Sequence, residues 1–277
     1  MKIGKIQELT IEREVDFGCY LTDGEDEVLI PRKYLPEEYA LGDTLTVFVY
    51  TDHESRPVAV TRMPKGQVGD IVGLEIKQIT DFGAFADNGL EKDLLIPKKE
   101  QWVDVKEGGR YPVKILLDYQ TQRMIGSTKV ASFLLDADPD WAEGQEIQCV
   151  VWQATDLGFK VIINSQSEGL IYHDEIFEDL NPGDNKTAYI KKIREDGKID
   201  VSLQKQGYQA VMDLSGRVLQ AIEQADGILP LGDKSSPEEI KSYFCISKKN
   251  FKKILGGLYK MGKVEIFDYE VHAKSEG

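Results

Sequence analysis

The stretch Asp81-Phe82-Gly83-Ala84-Phe85 places a glycine between two aromatic residues, directly after an acidic residue. Downstream come an apolar run, Leu94-Leu95-Ile96-Pro97, a glycine turn, Glu107-Gly108-Gly109, and a further run, Val113-Lys114-Ile115. Short apolar runs separated by glycine-rich turns are typical of strands in a small all-β domain. The stretch therefore predicts a β domain in the middle of the chain.

The same order of features occurs three times in the first three quarters of the chain. The first copy uses residues 16–20, 28–31, 41–43 and 47–49, and the third uses 156–159, 169–172, 182–184 and 188–190. From the glycine of the first motif to the isoleucine of the second is 12, 13 and 13 residues in the three copies. Constant spacing indicates true repeats, each about 60 to 65 residues long and large enough for one small barrel.

Each copy contains enough short runs for a closed barrel. In the second copy the predicted strands are 71–76, 82–86, 94–96, 113–117 and 124–128. Five short strands with glycine at a corner indicate an OB-fold barrel.

The pattern changes after Leu203, where helical spacing of apolar residues begins. Ser236-Pro237-Glu238-Glu239 is a strong helix start, with a Ser cap and Pro at the first position. The predicted elements are a helix at 208–225, a short strand at 227–230, helices at 237–244 and 248–261, and a strand at 264–271. This order is that of a winged helix.

The three copies resemble the S-one domain, the RNA-binding repeat of the largest protein of the bacterial small ribosomal subunit. With the tail, the whole chain resembles the conserved virulence factor B family of bacterial RNA-binding regulators. The predicted fold class is therefore mainly β with a small α+β C-terminal domain. We expect three tandem OB-fold barrels at 1–63, 66–133 and 143–204, the third degenerate, followed by a winged helix at 206–277.

The resemblance also implies which residues contact RNA, because the S-one binding face carries two aromatics, a histidine, and an Asp and Arg beside the last turn. The implied contacts in the second copy are Phe82, Phe85, Asp118 and Arg123, and those in the first are Phe17, Tyr20, Asp52 and Arg56. Proline replaces the histidine in both copies, at Pro97 and Pro31. The third copy has Leu157, Lys160, Tyr172, Arg194 and Lys198 at these positions, so we expect its aromatic platform to be mostly lost.

Exposed aromatic side chains bind unpaired bases because every base has a π-face, and an adjacent arginine supplies phosphate contact or stacking. Strict strand alternation would put Phe82 and Phe85 on opposite faces, so a shared surface requires a kink at Gly83. The alternative is that these aromatics are barrel core. For Arg56, Arg123, Lys160, Arg194 and Lys198 the alternative is an ordinary surface charge.

The third helix of the tail is rich in lysine. Lys248, Lys249, Lys252, Lys253 and Lys260 lie on it, Lys263 follows, and no acidic residue lies between the first and the last. Such a helix is suited to a phosphate backbone, although a solvated lysine face or a protein-docking surface is an equally good interpretation.

Charge argues against broad phosphate neutralisation by the barrels. The net charge is −14, and the first 205 residues carry all of it, with 24 basic against 38 acidic residues. Any grip on RNA there must depend on stacking and a few local cations, so we expect modest affinity per barrel.

No catalytic motif is present, and the three histidines are scattered, so we expect neither an enzyme nor a cofactor or metal. Three dispersed cysteines indicate reduced thiols, and the absence of a signal segment and of a long apolar run indicates a cytoplasmic protein without membrane contact. The leading hypothesis is a regulator that binds single-stranded RNA. Two alternatives are a DNA-binding regulator that uses the winged helix, and a protein-interaction scaffold that has lost RNA affinity.

Overall fold

A computed structural model of the chain describes residues 1–176, 178–205 and 208–274. Its first three units are closed five-stranded barrels, each with the strand order 1-2-3-5-4 around the barrel. The first contains β1 (Lys5–Val15), β2 (Gly18–Thr22), β3 (Glu27–Pro31), β4 (Thr44–Thr51) and β5 (Pro57–Val60). The second contains β6 (Ile71–Thr80), β7 (Gly83–Ala86), β8 (Leu94–Pro97), β9 (Arg110–Asp118) and β10 (Arg123–Ser127). The third contains β11 (Glu146–Thr155), β12 (Gly158–Ile163), β13 (Ser167–Tyr172), β14 (Asn185–Ile193) and β15 (Ile199–Ser202).

The C-terminal unit contains α1 (Tyr208–Gln224), β16 (Ile228–Leu229), α2 (Pro237–Phe244), α3 (Lys248–Lys260), β17 (Val264–Ile266) and β18 (Val271–Ala273). The fold class predicted from the sequence, three barrels followed by a winged helix, is confirmed. The strands of the barrels lie inside the predicted domain limits, and the limits themselves stay a prediction. Residues 206, 207 and 275–277 of the predicted last domain lie outside the described residues.

One glycine occupies the same position in each barrel. It begins the second strand, directly after a two-residue turn, and its backbone lies against the end of the third strand. A Cβ atom at Gly18, Gly83 or Gly158 would lie 2.0, 2.4 or 2.0 Å from the carbonyl oxygen of Ile30, Ile96 or Ile171, respectively. No side chain fits in that space, so the glycine of the repeated motif is required by the close approach of two backbones.

The first strand of each barrel bends at a bulge. The pairing register shifts between Ile11 and Arg13, between Ile76 and Gln78, and between Val151 and Gln153. A bulge adds one residue to one strand and increases its twist, which helps a short sheet to close on itself. The alternate residues that point inward form the three barrel cores.

The first and second barrels pack directly on each other. Phe48, Tyr50 and Val60 of the first barrel form a buried cluster with Leu90 of the second. The backbone N–H of Val68 donates to the carbonyl oxygen of Gly4 at 2.9 Å, which ties the connecting segment to the residue before β1. Burial of large apolar side chains at the junction holds the two barrels in one arrangement.

The second and third barrels are joined more closely still. Asn185 bonds the backbone of Gly73 twice, accepting from its N–H at 2.8 Å and donating to its carbonyl at 3.0 Å. A Cβ on Gly73 would lie 1.7 Å from the carbonyl oxygen of Gly183, so the two barrels touch backbone to backbone. Ile71 and Val150 lie in a buried cluster that spans the junction. The three barrels therefore form a fixed row.

The winged helix follows the sequence prediction except at its end. Ser236 caps α2 as predicted and forms a capping box with Glu239, and Ser247 caps α3. The single strand predicted at 264–271 is wrong, because the chain turns at residues 267–270 and returns as β18 beside β17. The N–H of Phe267 donates to the carbonyl of Glu270 at 2.9 Å and closes that turn. The segment is thus the hairpin wing of the domain.

The junction of the second and third barrels can be tested by Gly73→Ala. The added methyl group has no room against Gly183, so the free energy of unfolding should fall by about 1–3 kcal/mol. Gly256→Ala in α3 is the matched control, since a Cβ there meets open space and alanine favours helix by about 1 kcal/mol. Thermal melting measures both. A Gly73→Ala protein that melts like the parent would show that the barrels do not pack at this contact.

Candidate nucleic-acid interface

The aromatic pair of the second barrel lies on one surface. Phe82 is in the two-residue turn between β6 and β7 and is 61% exposed, whereas Phe85 is on β7 and half-buried. Their ring centres are 5.9 Å apart and the rings meet edge to face. Because Phe82 precedes the strand, strand alternation does not separate the two rings. Neither aromatic is part of the barrel core, so the alternative interpretation does not apply to this pair.

All four implied contact residues of the second barrel line one groove. Phe82, Phe85, Asp118 and Arg123 surround an open cleft of about 790 Å³, which Tyr50 and Thr51 of the first barrel also border. The groove therefore lies partly at the junction of the two barrels. Its size and apolar floor suit one or two flat rings.

Asp118 and Arg123 have different roles in this groove. Asp118 accepts hydrogen bonds from the Thr121 hydroxyl at 2.8 Å and the Gln120 N–H at 3.0 Å. These bonds hold the pKa of Asp118 below its usual value, so the carboxylate stays ionised. Arg123 donates to the Ser55 hydroxyl at 2.8 and 3.0 Å, across the junction. Within the described residues it has no carboxylate partner, so its charge is available to a ligand.

The first barrel presents fewer side chains that are available to a ligand. Phe17 is 59% exposed in the corresponding turn. The face of Tyr20 is covered by Arg13, whose guanidinium carbon is 3.6 Å from the ring centre. Arg56 is held by two carboxylates of its own turn, Asp52 and Glu54, each at 2.7 Å. Hydrogen bonds from Arg56, first from its backbone N–H and second from its side chain, lower the pKa of Asp52. Asp52 and Arg56 therefore both stay charged.

The third barrel has a corresponding groove but lacks the pair of aromatic side chains. A cleft of about 960 Å³ lies at the same end of the barrel, bordered by Leu157, Tyr172 and Lys198. Its cations are paired: Lys160 with Glu168 at 2.9 Å, Arg194 with Asp200 at 2.9 Å, and Lys198 with Asp196 at 2.9 Å. Arg194 also donates to the hydroxyl of Tyr172.

The lysines of α3 cover one side of that helix, opposite the buried residues Phe251, Ile254, Leu255 and Leu258. Lys249, Lys253 and Lys260 are exposed and have no ion-pair partner in the part of the chain that the structure describes. Lys252 pairs with Asp233 at 3.0 Å, and Lys248 is half-buried.

Two of the most exposed aromatics were not among the sequence candidates. Tyr119, 84% exposed, lies in the turn between Asp118 and Arg123 and borders the second-barrel groove. Trp102 is 76% exposed and follows the short turn after β8. Tyr119 could have been found from its place between two implied contact residues, whereas nothing in the sequence distinguishes Trp102 from a core tryptophan.

Neither a metal site nor a membrane-spanning segment is found where the structure describes the chain. No group of three or more His, Cys, Asp or Glu side chains in residues 1–176, 178–205 and 208–274 is arranged to hold an ion. Over the same ranges, none of the helices has the length and apolar character of a bilayer-spanning segment.

Comparison with known proteins supports this domain content. Residues 3–62 match the S1 domain model, and residues 216–272 match the model of the CvfB-like winged helix domain. The uncharacterized protein YitL of Bacillus subtilis is 28% identical over 95% of this chain and 91% of its own. Conserved virulence factor B of Staphylococcus saprophyticus is 25% identical over 81% of this chain and 77% of its own.

A solved structure from Streptococcus pneumoniae, described as a multidomain protein with nucleic acid binding domains, is 23% identical over 98% of both chains, with a TM-score of 0.42. An S1 domain and a winged helix of this type suggest nucleic-acid binding, and neither is a catalytic domain. The resemblance predicted from the repeated motif is thus confirmed, and the chain is similar along most of its length to the conserved virulence factor B proteins.

Proposed function

We propose that this protein is a cytoplasmic regulator that binds single-stranded RNA and performs no chemistry of its own. The observation that carries the proposal is that Phe82, Phe85 and Arg123 lie in one groove, with the arginine free of any carboxylate in the described chain. Stacking on the exposed ring requires unpaired bases, which favours a single strand over a duplex.

Asp118 supports RNA over DNA as the ligand. Its carboxylate is an acceptor only, so it repels a phosphate and can accept a hydrogen bond from a sugar hydroxyl. The 2′-hydroxyl is the group by which a protein tells RNA from DNA at one site. Phe17 and Tyr20 would add weaker contacts, and Arg56, Tyr172 and Lys198 the least, because their charges or rings already have partners.

A second candidate function is binding of duplex DNA or of a protein partner through the winged helix. The exposed lysines of α3 support it, since a cationic helix fits either a phosphate backbone or an acidic protein surface. The lysines Lys248, Lys249, Lys252, Lys253 and Lys260 would also assist RNA binding if the strand reaches that domain.

The platform is tested by Phe82→Ala and by the double change Phe82→Ala, Phe85→Ala. Loss of stacking should weaken binding of an unstructured RNA by about 1–3 kcal/mol per ring. Fluorescence anisotropy measures the affinity, and thermal melting checks the fold. Leu41→Ala is the control, because Leu41 is 64% exposed and borders neither of the two grooves described. Parental affinity in the Phe82→Ala protein would remove the basis of the proposed function.

The contribution of α3 is tested by replacing Lys249, Lys253 and Lys260 with Gln. Each phosphate contact releases counterions, so loss of three contacts should flatten the slope of log affinity against log salt by about 2 for a single strand. Phe82→Ala should lower affinity with nearly the parental slope, because stacking depends little on salt. If the lysine variant keeps the parental slope with RNA, α3 does not engage it, and the same titration with duplex DNA tests the second candidate.

A further inference from the structure

A third cleft, of about 670 Å³ and lined mainly by apolar residues, lies at the junction of the second and third barrels. Trp102 and Val103 border it on one side and Trp152 and Pro182 on the other. Trp102 is 76% exposed, and an indole is among the most costly side chains to leave in water. An exposed apolar surface of this kind in a fixed position usually marks a binding site.

Both tryptophans are held in place by the surrounding backbone. The N–H of Trp102 donates to the Thr128 hydroxyl at 2.8 Å, and the N–H of Thr128 donates to the carbonyl of Glu100 at 3.0 Å. Trp152 lies at the bulge of β11, beside the contact that locks the second and third barrels together. A ligand that entered the cleft would therefore meet rings whose backbone is already ordered.

The cleft lies between the grooves of the second and third barrels. Glu100 borders the second-barrel groove, and Trp102, two residues further along, borders the cleft. On the other side, the Nζ atom of Lys160 is 5.4 Å from the centre of the Trp152 ring, and Lys160 borders the third-barrel groove. The three surfaces follow one another along the row of barrels.

Two lysines lie where this path leaves the second-barrel groove. Lys99 borders the second-barrel groove and is exposed, and Lys129, which donates to the carbonyl of Lys99, borders the cleft. At the far end Lys160 is already paired with Glu168. An apolar interior with free cations at one exit matches the chemistry of a single nucleic-acid strand, whose bases stack and whose phosphates lie outside.

We propose that the Trp102–Trp152 cleft holds unpaired bases of the same RNA strand that lies in the second-barrel groove. The strand then runs from the second barrel to the third, and the cleft replaces the aromatic platform that the third barrel has lost. This inference rests on the proposed function. A protein segment in the cleft is the competing occupant, and the test below distinguishes it.

The test uses the full-length protein, Trp102→Ala, and two unstructured RNAs of about 5 and about 15 nucleotides, which lie near the lower and the upper end of the range bound by a single OB fold. The short RNA is expected to bind the second-barrel groove, which holds Phe82 and Arg123. Trp102→Ala should weaken the long RNA by about 5-fold to 100-fold, the effect of one lost stacking contact, and leave the short RNA unchanged. Trp102→Phe should restore most of the loss, and Leu41→Ala should bind like the parent.

The outcomes distinguish RNA binding in the Trp102–Trp152 cleft from RNA binding in the second-barrel groove. If Phe82→Ala weakens both RNAs and Trp102→Ala binds the long RNA like the parent, the cleft does not hold RNA, and the proposed function stands. If Phe82→Ala has no effect on either RNA, the proposed function itself is wrong. At saturating long RNA, quenching of tryptophan fluorescence that is weaker in Trp102→Phe than in the parent supports the cleft, because Trp152 alone remains there to be quenched. Quenching of the same size in Trp102→Phe and in the parent contradicts it.

Discussion

The contact on which the interface depends is the approach of Gly83 to the carbonyl oxygen of Ile96. It brings the β6–β7 turn over the end of β8, so Phe82 lies beside the last turn of the barrel, where Asp118 and Arg123 lie. The N–H of Lys98 donates to the carbonyl of Phe82 at 3.0 Å and fixes the same corner from the other side. The first and third barrels repeat both contacts, so the turn between the first two strands has the same geometry in all three barrels.

Ion pairing determines whether the basic residue near each of these turns is available to a ligand. In an acidic chain most arginines and lysines at these turns find a carboxylate close by, as Arg56 does with Asp52 and Lys198 does with Asp196. Arg123 differs because its turn meets the first barrel, where Ser55 supplies a neutral partner. Packing between barrels thus creates an available cation that the net charge of −14 would not suggest. Exposed ion pairs of the other kind contribute little to stability, but they do withdraw charge from a ligand.

The sequence predicted the repeat, the barrel class and the winged helix, because glycine spacing and apolar periodicity are local signals. It also identified Phe82 and Arg123, which share a groove. It did not predict that Arg56 and Lys198 are neutralised, since that depends on side-chain conformations within a turn. It missed the wing, because the turn at 267–270 carries no glycine or proline to mark it. The Trp102–Trp152 cleft could not be predicted, since it exists only where two barrels meet.

Fixed junctions would let the row of barrels hold one RNA strand along several contacts, which separate barrels could not do. A strand bound at Phe82 has an ordered surface on either side, towards Tyr50 of the first barrel and towards Trp102. Preorganised sites lose less conformational entropy on binding, so several weak stacking contacts can add up on one ligand. Modest affinity per barrel is then compatible with a useful affinity for a long strand.

Photocrosslinking shows which surface of the protein contacts RNA, and the proposed surface is the second-barrel groove. An unstructured RNA with 4-thiouridine at single positions would be bound to the full-length protein, irradiated, digested and mapped by mass spectrometry. We expect crosslinks in the peptides that contain Phe82 and Tyr119. Crosslinks confined to α3, with none in the second barrel, would show that RNA does not bind the second-barrel groove.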